Sequence, residues 1–348
     1  MLQLHNPILV GMSAINNTQM PVNLTNPTLS PQEANLRVAL YAIIGIMSVV
    51  GNIPVMIIIC KTPSLRTHSN IFIANLALTD IFNGLVKDLF IIMGMAPGRF
   101  IYGPSFCNIS GFALGLPHTV TILTLMFIAI FRYLTVVHGR FITITKKHLW
   151  ITVISIWIYG IIDAIMPIAG WNKYEYSPLE FACVPAFDLK APSHTVFLII
   201  TVTAIPFIVI TFCYVAVSVS IFVHDRNLKR QILQGGSQQA NFQMQLRRRE
   251  IRATWRMFVV YLAFVICFLP WAVIMLILLP SGFHIPQGVI FTVGYLTNVN
   301  SAINPIIYCC IYPKIRYGYR RLLCHHDRQE TENVTLTSKN IKVTTAWQ

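Results

Sequence analysis

The chain has 348 residues, of which 55% are hydrophobic and only 11% charged, and its mean hydropathy is +0.62. That leaves too little polar surface for a soluble globule and makes lipid the main solvent. The formal charge of +14 would suit nucleic acid, but the positive residues gather on one side of a series of apolar runs, so no nucleic-acid partner is expected.

Apolar runs of membrane-spanning length, about 20 residues each, fall at 36–60, 70–94, 105–137, 148–169, 194–224, 252–280 and 286–311. The expected fold is all-α: a seven-transmembrane helix bundle over 36–312, then a short amphipathic helix over 313–324. Lys61, Arg66, Arg132, Arg140, Lys146, Lys147, the basic run from Arg226 to Arg256 and everything from Lys314 onward share one face, leaving five Lys and Arg, Lys87 among them, on the other. The positive-inside rule then sets the N-terminus outside and the C-terminus in the cytoplasm of a multi-pass plasma-membrane protein. Residues 1–35 read as an extracellular tail in which Asn16 and Asn23 head glycosylation sequons. The first 30 residues lack a basic and apolar leader, so span 1 is expected to be its own signal anchor. Residues 325–348 read as a disordered cytoplasmic tail.

Polar and kinking residues punctuate the spans. Asn52 follows Gly51 in span 1, and span 2 reads Asn75-Leu-Ala-Leu-Thr-Asp80. Lys87 follows Asp80 by seven residues, about 700° of helix, which leaves it within about 20° of the same inward face and about 10 Å nearer the outside. A lysine in a span needs an anion or water, and Asp88 and Asp163 are the nearest expected partners. Span 3 opens with Cys107 and ends in Phe131-Arg132-Tyr133; span 4 carries Trp157. Cys107 and Cys183, in the loop 170–193, are the cysteines on the oxidising side, and a disulfide between them would pin that loop over the mouth of the bundle. Pro206 and Tyr214 lie in span 5, Glu250 just before span 6, and Phe264-Val-Ile-Cys267-Phe268-Leu269-Pro270 within it. Span 7 reads Asn300-Ser301-Ala302-Ile303-Asn304-Pro305-Ile306-Ile307-Tyr308, and Cys324 closes the basic amphipathic stretch as an expected palmitoylation site and lipid contact.

In this order and on these helices, the residues resemble the signature positions of rhodopsin-like (class A) G-protein-coupled receptors over about 36–324. The resemblance implies a receptor rather than an enzyme, one that activates heterotrimeric G proteins by outward movement of span 6 and meets receptor kinase and arrestin at its tail. It implies that Asp80, Thr121, Asn300, Ser301 and Asn304 enclose a sodium ion, with Asp80 as the metal ligand. A hydrated hydrogen-bond network without a held ion is the alternative. It implies further that Pro206, Pro270 and Pro305 are pivots, that Tyr214 and Tyr308 support the open state, and that Arg132 contacts the G protein. Two departures stand out. Phe131 replaces the acid that usually precedes the arginine, leaving Glu250 as its acidic partner, and Phe268 replaces the usual tryptophan of the span-6 switch.

Leu114 stands where amine receptors of the family carry an aspartate, and Leu198 and Val202 are apolar where catechol receptors carry hydroxyls. Lys87, Leu114, His118, Trp271, Tyr295 and Asn298 are the candidate pocket residues. The loop Gly170-Trp171-Asn172-Lys173-Tyr174 looks like that of opsins and, more loosely, of melatonin receptors, yet the retinal-binding lysine of opsins would fall at Asn298. No cofactor is therefore expected beyond the sodium ion, and the expected ligand is a small, largely apolar molecule. A retinal linkage displaced to Lys87 and a peptide ligand are the alternatives within the class. A transporter would call for internal repeats or interrupted helices, and an enzyme for clustered catalytic groups, whereas His68, His325 and His326 are scattered.

Overall fold

The computed structural model describes the backbone of residues 29–65, 67–138, 144–186, 193–233, 238–278, 281 and 283–323, and the side chains of all of these except 64, 68, 69, 224–233, 238–250 and 323. Asn16, Asn23, Cys324, the tail beyond it and the side chain of Glu250 lie outside the described residues.

The first span, α1 (Pro31–Lys61), begins inside the segment read as tail, because Ser30 caps it: the Glu33 amide donates to Ser30 Oγ at 3.2 Å, and a proline occupies the first turn. Span 2 runs through α2 (His68–Phe82), a π-helical turn (Asn83–Lys87) and α3 (Asp88–Met95). Spans 3 and 4 are α4 (Pro104–Val137) and α5 (Lys146–Ile165). A hairpin of β1 (Tyr174–Ser177) and β2 (Ala182–Pro185) follows, pairing Tyr174 with Pro185 and Ser177 with Ala182. Span 5 is α6 (Ser193–Leu198), a π turn (Ile199–Ala204) and α7 (Ile205–Leu233). Span 6 is α8 (Gln238–Val273) with a π turn (Ile274–Leu278), span 7 is α9 (Gln287–Ile311), and α10 (Pro313–Leu323) is the amphipathic helix.

Five of the helical stretches, Pro31–Lys61, Pro104–Val137, Lys146–Ile165, Ser193–Val223 and Ile251–Leu278, are long and apolar enough in themselves to cross a membrane. The other two crossings are the divided span 2 and span 7, which carries Asn298, Asn300 and Asn304. Ile46, Val50, Ile208, Val215 and Ile266 are exposed around the bundle. Lipid covers such side chains as well as protein does, so inter-helix specificity falls to small and polar residues. Asn75 joins three spans in this way: its Nδ2 donates to Thr124 Oγ1 at 2.8 Å, and its Oδ1 accepts from Trp157 Nε1 at 2.8 Å.

The hairpin is fastened over the outer end of the bundle. Cys107 and Cys183 form the expected disulfide. Tyr174 lies so close to α4 that a Cβ on Gly111 would stand 2.2 Å from its ring, and its hydroxyl donates to the Ala164 carbonyl at 3.0 Å. At the tip Phe181 is fully buried and takes φ 52°, a left-handed conformation unfavourable for a bulky residue. Its carbonyl presses on α3 at Gly94, where a Cβ would be 2.8 Å away. At the inner end, Ile315 of α10 is buried and the Tyr319 hydroxyl donates to the Gly51 carbonyl, tying α10 back to α1.

Candidate functional site

Two polar sites lie one above the other inside the bundle. The inner one centres on Asp80, which is 1% exposed; its Oδ2 accepts from Asn304 Nδ2 at 2.9 Å, and Ser301 faces the same carboxylate. Asn83, which sequence reasoning passed over, donates to Ser301 Oγ at 3.0 Å. Asn52 donates to the Ser48 and Ser301 carbonyls, and Ser48 Oγ to the Asp80 carbonyl. Thr121 and Asn300 are buried, but among the described residues no hydrogen bond joins either to Asp80. The amide oxygens of Asn52, Asn83, Asn300 and Asn304 are buried without a donor. The Asp80 carboxylate, with the spare oxygen of its partner Asn304 and those of Asn52 and Asn83 on Ser301, offers oxygen groups of the kind that suit a hard cation such as sodium. Among the described residues no three His, Cys, Asp or Glu converge as metal ligands.

Toward the inside, Arg132 is buried at the end of α4. Phe131 spends its side chain on packing, with its ring 5.2 Å from that of Phe72. Tyr133 Oη and His138 Nε2 are joined at 3.0 Å. Tyr214 packs on Phe258 and Tyr261 at 5.1 and 5.8 Å, and Tyr308 is wholly buried beside Tyr312. Pro206 follows the π turn of span 5 and Pro270 precedes that of span 6. Both prolines thus sit where the regular hydrogen-bond ladder is already altered, which is where a helix bends most readily. Pro305 packs on Gly51 closely enough that a Cβ there would stand 2.7 Å from its ring.

The outer site is where the hairpin enters the bundle. Trp271 Nε1 donates to Glu180 Oε1 at 2.7 Å. Burial pushes the Glu180 carboxyl above its ordinary range, opposed by the Trp271 hydrogen bond and by the positive charge of Lys87. Lys87 is half-buried; its charge acts on Asp88, Glu180 and His118, but among the described residues no carboxylate lies within ion-pair distance of it. Asp88 sits against Gly45 of α1 with one carboxylate oxygen unpartnered. Asp163, the other expected partner, is engaged elsewhere, because Thr119 Oγ1 donates to it at 2.7 Å between α4 and α5.

The remaining candidates fall around this point. His118 stacks on Phe268 at 4.7 Å, and Phe268 contacts Phe264 at 5.3 Å and Trp271 at 5.1 Å. Leu114 lines a tight crevice with Phe90, Ile91, Phe106, Phe181 and Cys183, too narrow to admit a water molecule. Tyr295 turns toward α1, with its ring 5.5 Å from Tyr41 and its hydroxyl on the Leu40 carbonyl at 3.4 Å. Asn298 is buried and donates to the Gly294 carbonyl at 3.0 Å, leaving its amide oxygen unpartnered. Arg37, buried at the outer end of α1, lies over the Phe291 and Phe181 rings at 4.3 and 5.2 Å. Glu180 escaped sequence reasoning although a signal existed: it is an acid three residues before a cysteine that the disulfide pins to α4.

Residues 51–308 match the family described as 7 transmembrane receptor (rhodopsin family). The chain is similar to melanopsin of Felis catus, 26% identical over 295 residues that cover 82% of this chain and 59% of that protein. It is 26% identical to melatonin receptor type 1C of Xenopus laevis over 284 residues, 80% of this chain and 65% of the relative. With opsin-3 of Mus musculus the identity is 26% over 311 residues, 88% and 74% of the two chains. The chain thus spans less than two thirds of the length of the first two relatives. The crystal structure of squid rhodopsin shares the fold, with a TM-score of 0.77 at 22% identity over 88% of this chain and 92% of that one. With most of its length matched and the seven helices in order, the chain belongs to the rhodopsin family of seven-transmembrane receptors and has a multi-pass membrane fold.

Proposed function

We propose that the chain is a plasma-membrane receptor that takes a small, largely apolar ligand in the outer half of the bundle and activates a heterotrimeric G protein at the inner end. The carrying observation is the aromatic ladder His118–Phe268–Trp271, which runs from the outer polar cluster to the residues flanking Pro270. A ligand that contacts this ladder has different contacts in states that differ at the span-6 hinge, and differential contact is what shifts a population. Outward movement of span 6 would then uncover Arg132 for the G protein, with Tyr214 and Tyr308 supporting the open form. Asp80, Ser301 and Asn304 would hold a sodium ion, whose charge would neutralise the buried carboxylate. Similarity to both opsins and melatonin receptors supports the small-ligand reading. The test is nucleotide exchange on a panel of G proteins in a ligand and light screen, with uptake and current measured in the same cells. Uptake or current without exchange would overturn the receptor reading.

A second reading, retinal held at Lys87, is favoured by one observation: the charges of Asp88 and Glu180 act on that amine, yet among the described residues no carboxylate lies within ion-pair distance of it. Amine and aldehyde would condense to an imine with loss of water, and Glu180 would stand as counter-ion. Incubation with retinal, borohydride reduction and peptide mapping test it; an adduct that persists in Lys87→Ala, or no adduct, removes it.

A further inference from the structure

Where the hairpin tip meets spans 2 and 6, the helices present donors and the loop presents the acceptor. The Trp271 indole N–H and the Lys87 ammonium can only donate. The acceptor brought to them is Glu180, whose Oε1 takes the indole proton at 2.7 Å. Its carboxylate leaves Lys87 outside ion-pair distance, although the lysine's charge acts on it. The tip is anchored on one side by the Cys107–Cys183 bond and passes through the left-handed Phe181 next to Glu180. Glu180 is thus a loop-borne acceptor standing in a seat whose permanent walls are donors.

We infer that this seat anchors a carboxylate on the ligand, which replaces the Glu180 carboxylate between the Trp271 N–H and Lys87 while an apolar body packs on Phe268, His118 and Leu114. The inference deepens the small, largely apolar ligand reading and rests on it. Exchanging one carboxylate for another leaves the charge of the seat unchanged, so ligand entry adds no ion to a site of low dielectric. A cationic ligand would meet repulsion from Lys87. A neutral ligand that displaced Glu180 would remove the acceptor of the Trp271 N–H and one of the two carboxylates whose charge acts on Lys87, a costly outcome within the membrane. Asp88 does not fill the gap, being turned against Gly45 of α1. The seat also bears on the hinge, since Trp271 follows Pro270 directly.

The test uses the full chain in lipid nanodiscs, with benzoate and its neutral counterpart benzamide as probes and the thermal unfolding midpoint as readout. E180A removes the tethered carboxylate; E180Q removes only its charge and keeps an acceptor for Trp271, so the seat is also examined in a variant that retains the hairpin contact. Benzoate is expected to raise the midpoint of both variants at concentrations about tenfold or more below those benzamide requires, and to act more weakly on the wild type, where Glu180 competes. Adding K87A to either variant is expected to abolish the preference. Equal shifts with the two probes, or a benzoate preference that survives K87A, would overturn the inference. The midpoint needs no G protein: benzoate selectivity without nucleotide exchange counts against the receptor reading alone, and exchange without selectivity counts against the anion seat alone.

Discussion

Trp271→Phe keeps a ring beside Phe268 but deletes the N–H that Glu180 accepts at 2.7 Å. A hydrogen bond to a charged group contributes about 1.5–3 kcal/mol. Glu180 is half-buried, so water screens part of the interaction and the lower end, about 1.5 kcal/mol, is expected. Unfolding free energies of wild type, Trp271→Phe, Glu180→Gln and the double variant at neutral pH form a cycle whose coupling energy isolates the pair. The pair also carries a pH signature. Burial raises the Glu180 carboxyl above its ordinary 4.5, so the folded state holds this proton more tightly than the unfolded chain. Stability therefore falls as pH rises from that ordinary value through the folded one, where the unfolded chain has lost its proton and the folded chain has not. Glu180→Gln has no such component, so its stability relative to wild type should climb across the window. Trp271→Phe removes a contact that lowers the folded value and should stretch the window upward. Coupling below about 0.3 kcal/mol, or a Glu180→Gln difference that does not change with pH, would refute the reasoning.

Asp80→Asn preserves shape but deletes the buried charge that Asn304 and Ser301 face, so agonist response and sodium sensitivity should both change while surface expression persists; no change in either removes the ion site. Cys107→Ser and Cys183→Ser open the same 76-residue separation, which the chain-entropy account values at about 4.5 kcal/mol, and should lose surface expression to matching extents. Wild-type expression of either would contradict that. Glu250→Ala should raise basal nucleotide exchange at equal surface expression, by an equilibrium shift of about 1–3 kcal/mol if Glu250 restrains Arg132; unchanged basal exchange counts against the pair. Deleting the chain beyond Cys324 removes Thr331, Thr335, Thr337, Ser338, Thr344 and Thr345 and should reduce arrestin recruitment while sparing G-protein coupling, with equal recruitment refuting the tail's role.

The run read at 105–137 folds as Pro104–Val137 and that at 286–311 as Gln287–Ile311. Such agreement is expected where lipid demands both an apolar stretch of fixed length and internally satisfied backbone groups, since both demands act along the chain. The Asp80–Asn304 contact was legible through resemblance, and the Cys107–Cys183 bond through the compartment in which the two thiols lie. Ideal helical geometry could not show the π turn at Asn83–Lys87, which inserts its irregularity between Asp80 and Lys87. Nor could it show that Asp163 is taken by Thr119, or that Tyr295 leans on Tyr41 rather than into the pocket.

The sequence by itself determined seven crossings, the disulfide, and the family whose polar positions it repeats, because each follows from patterns read along one dimension. Only the tertiary structure decided what occupies the outer pocket. The meeting of Glu180 with Trp271, 91 residues apart, depends on how a disulfide-pinned hairpin closes over spans 2 and 6, and no hydrophobic period or helical face encodes that closure.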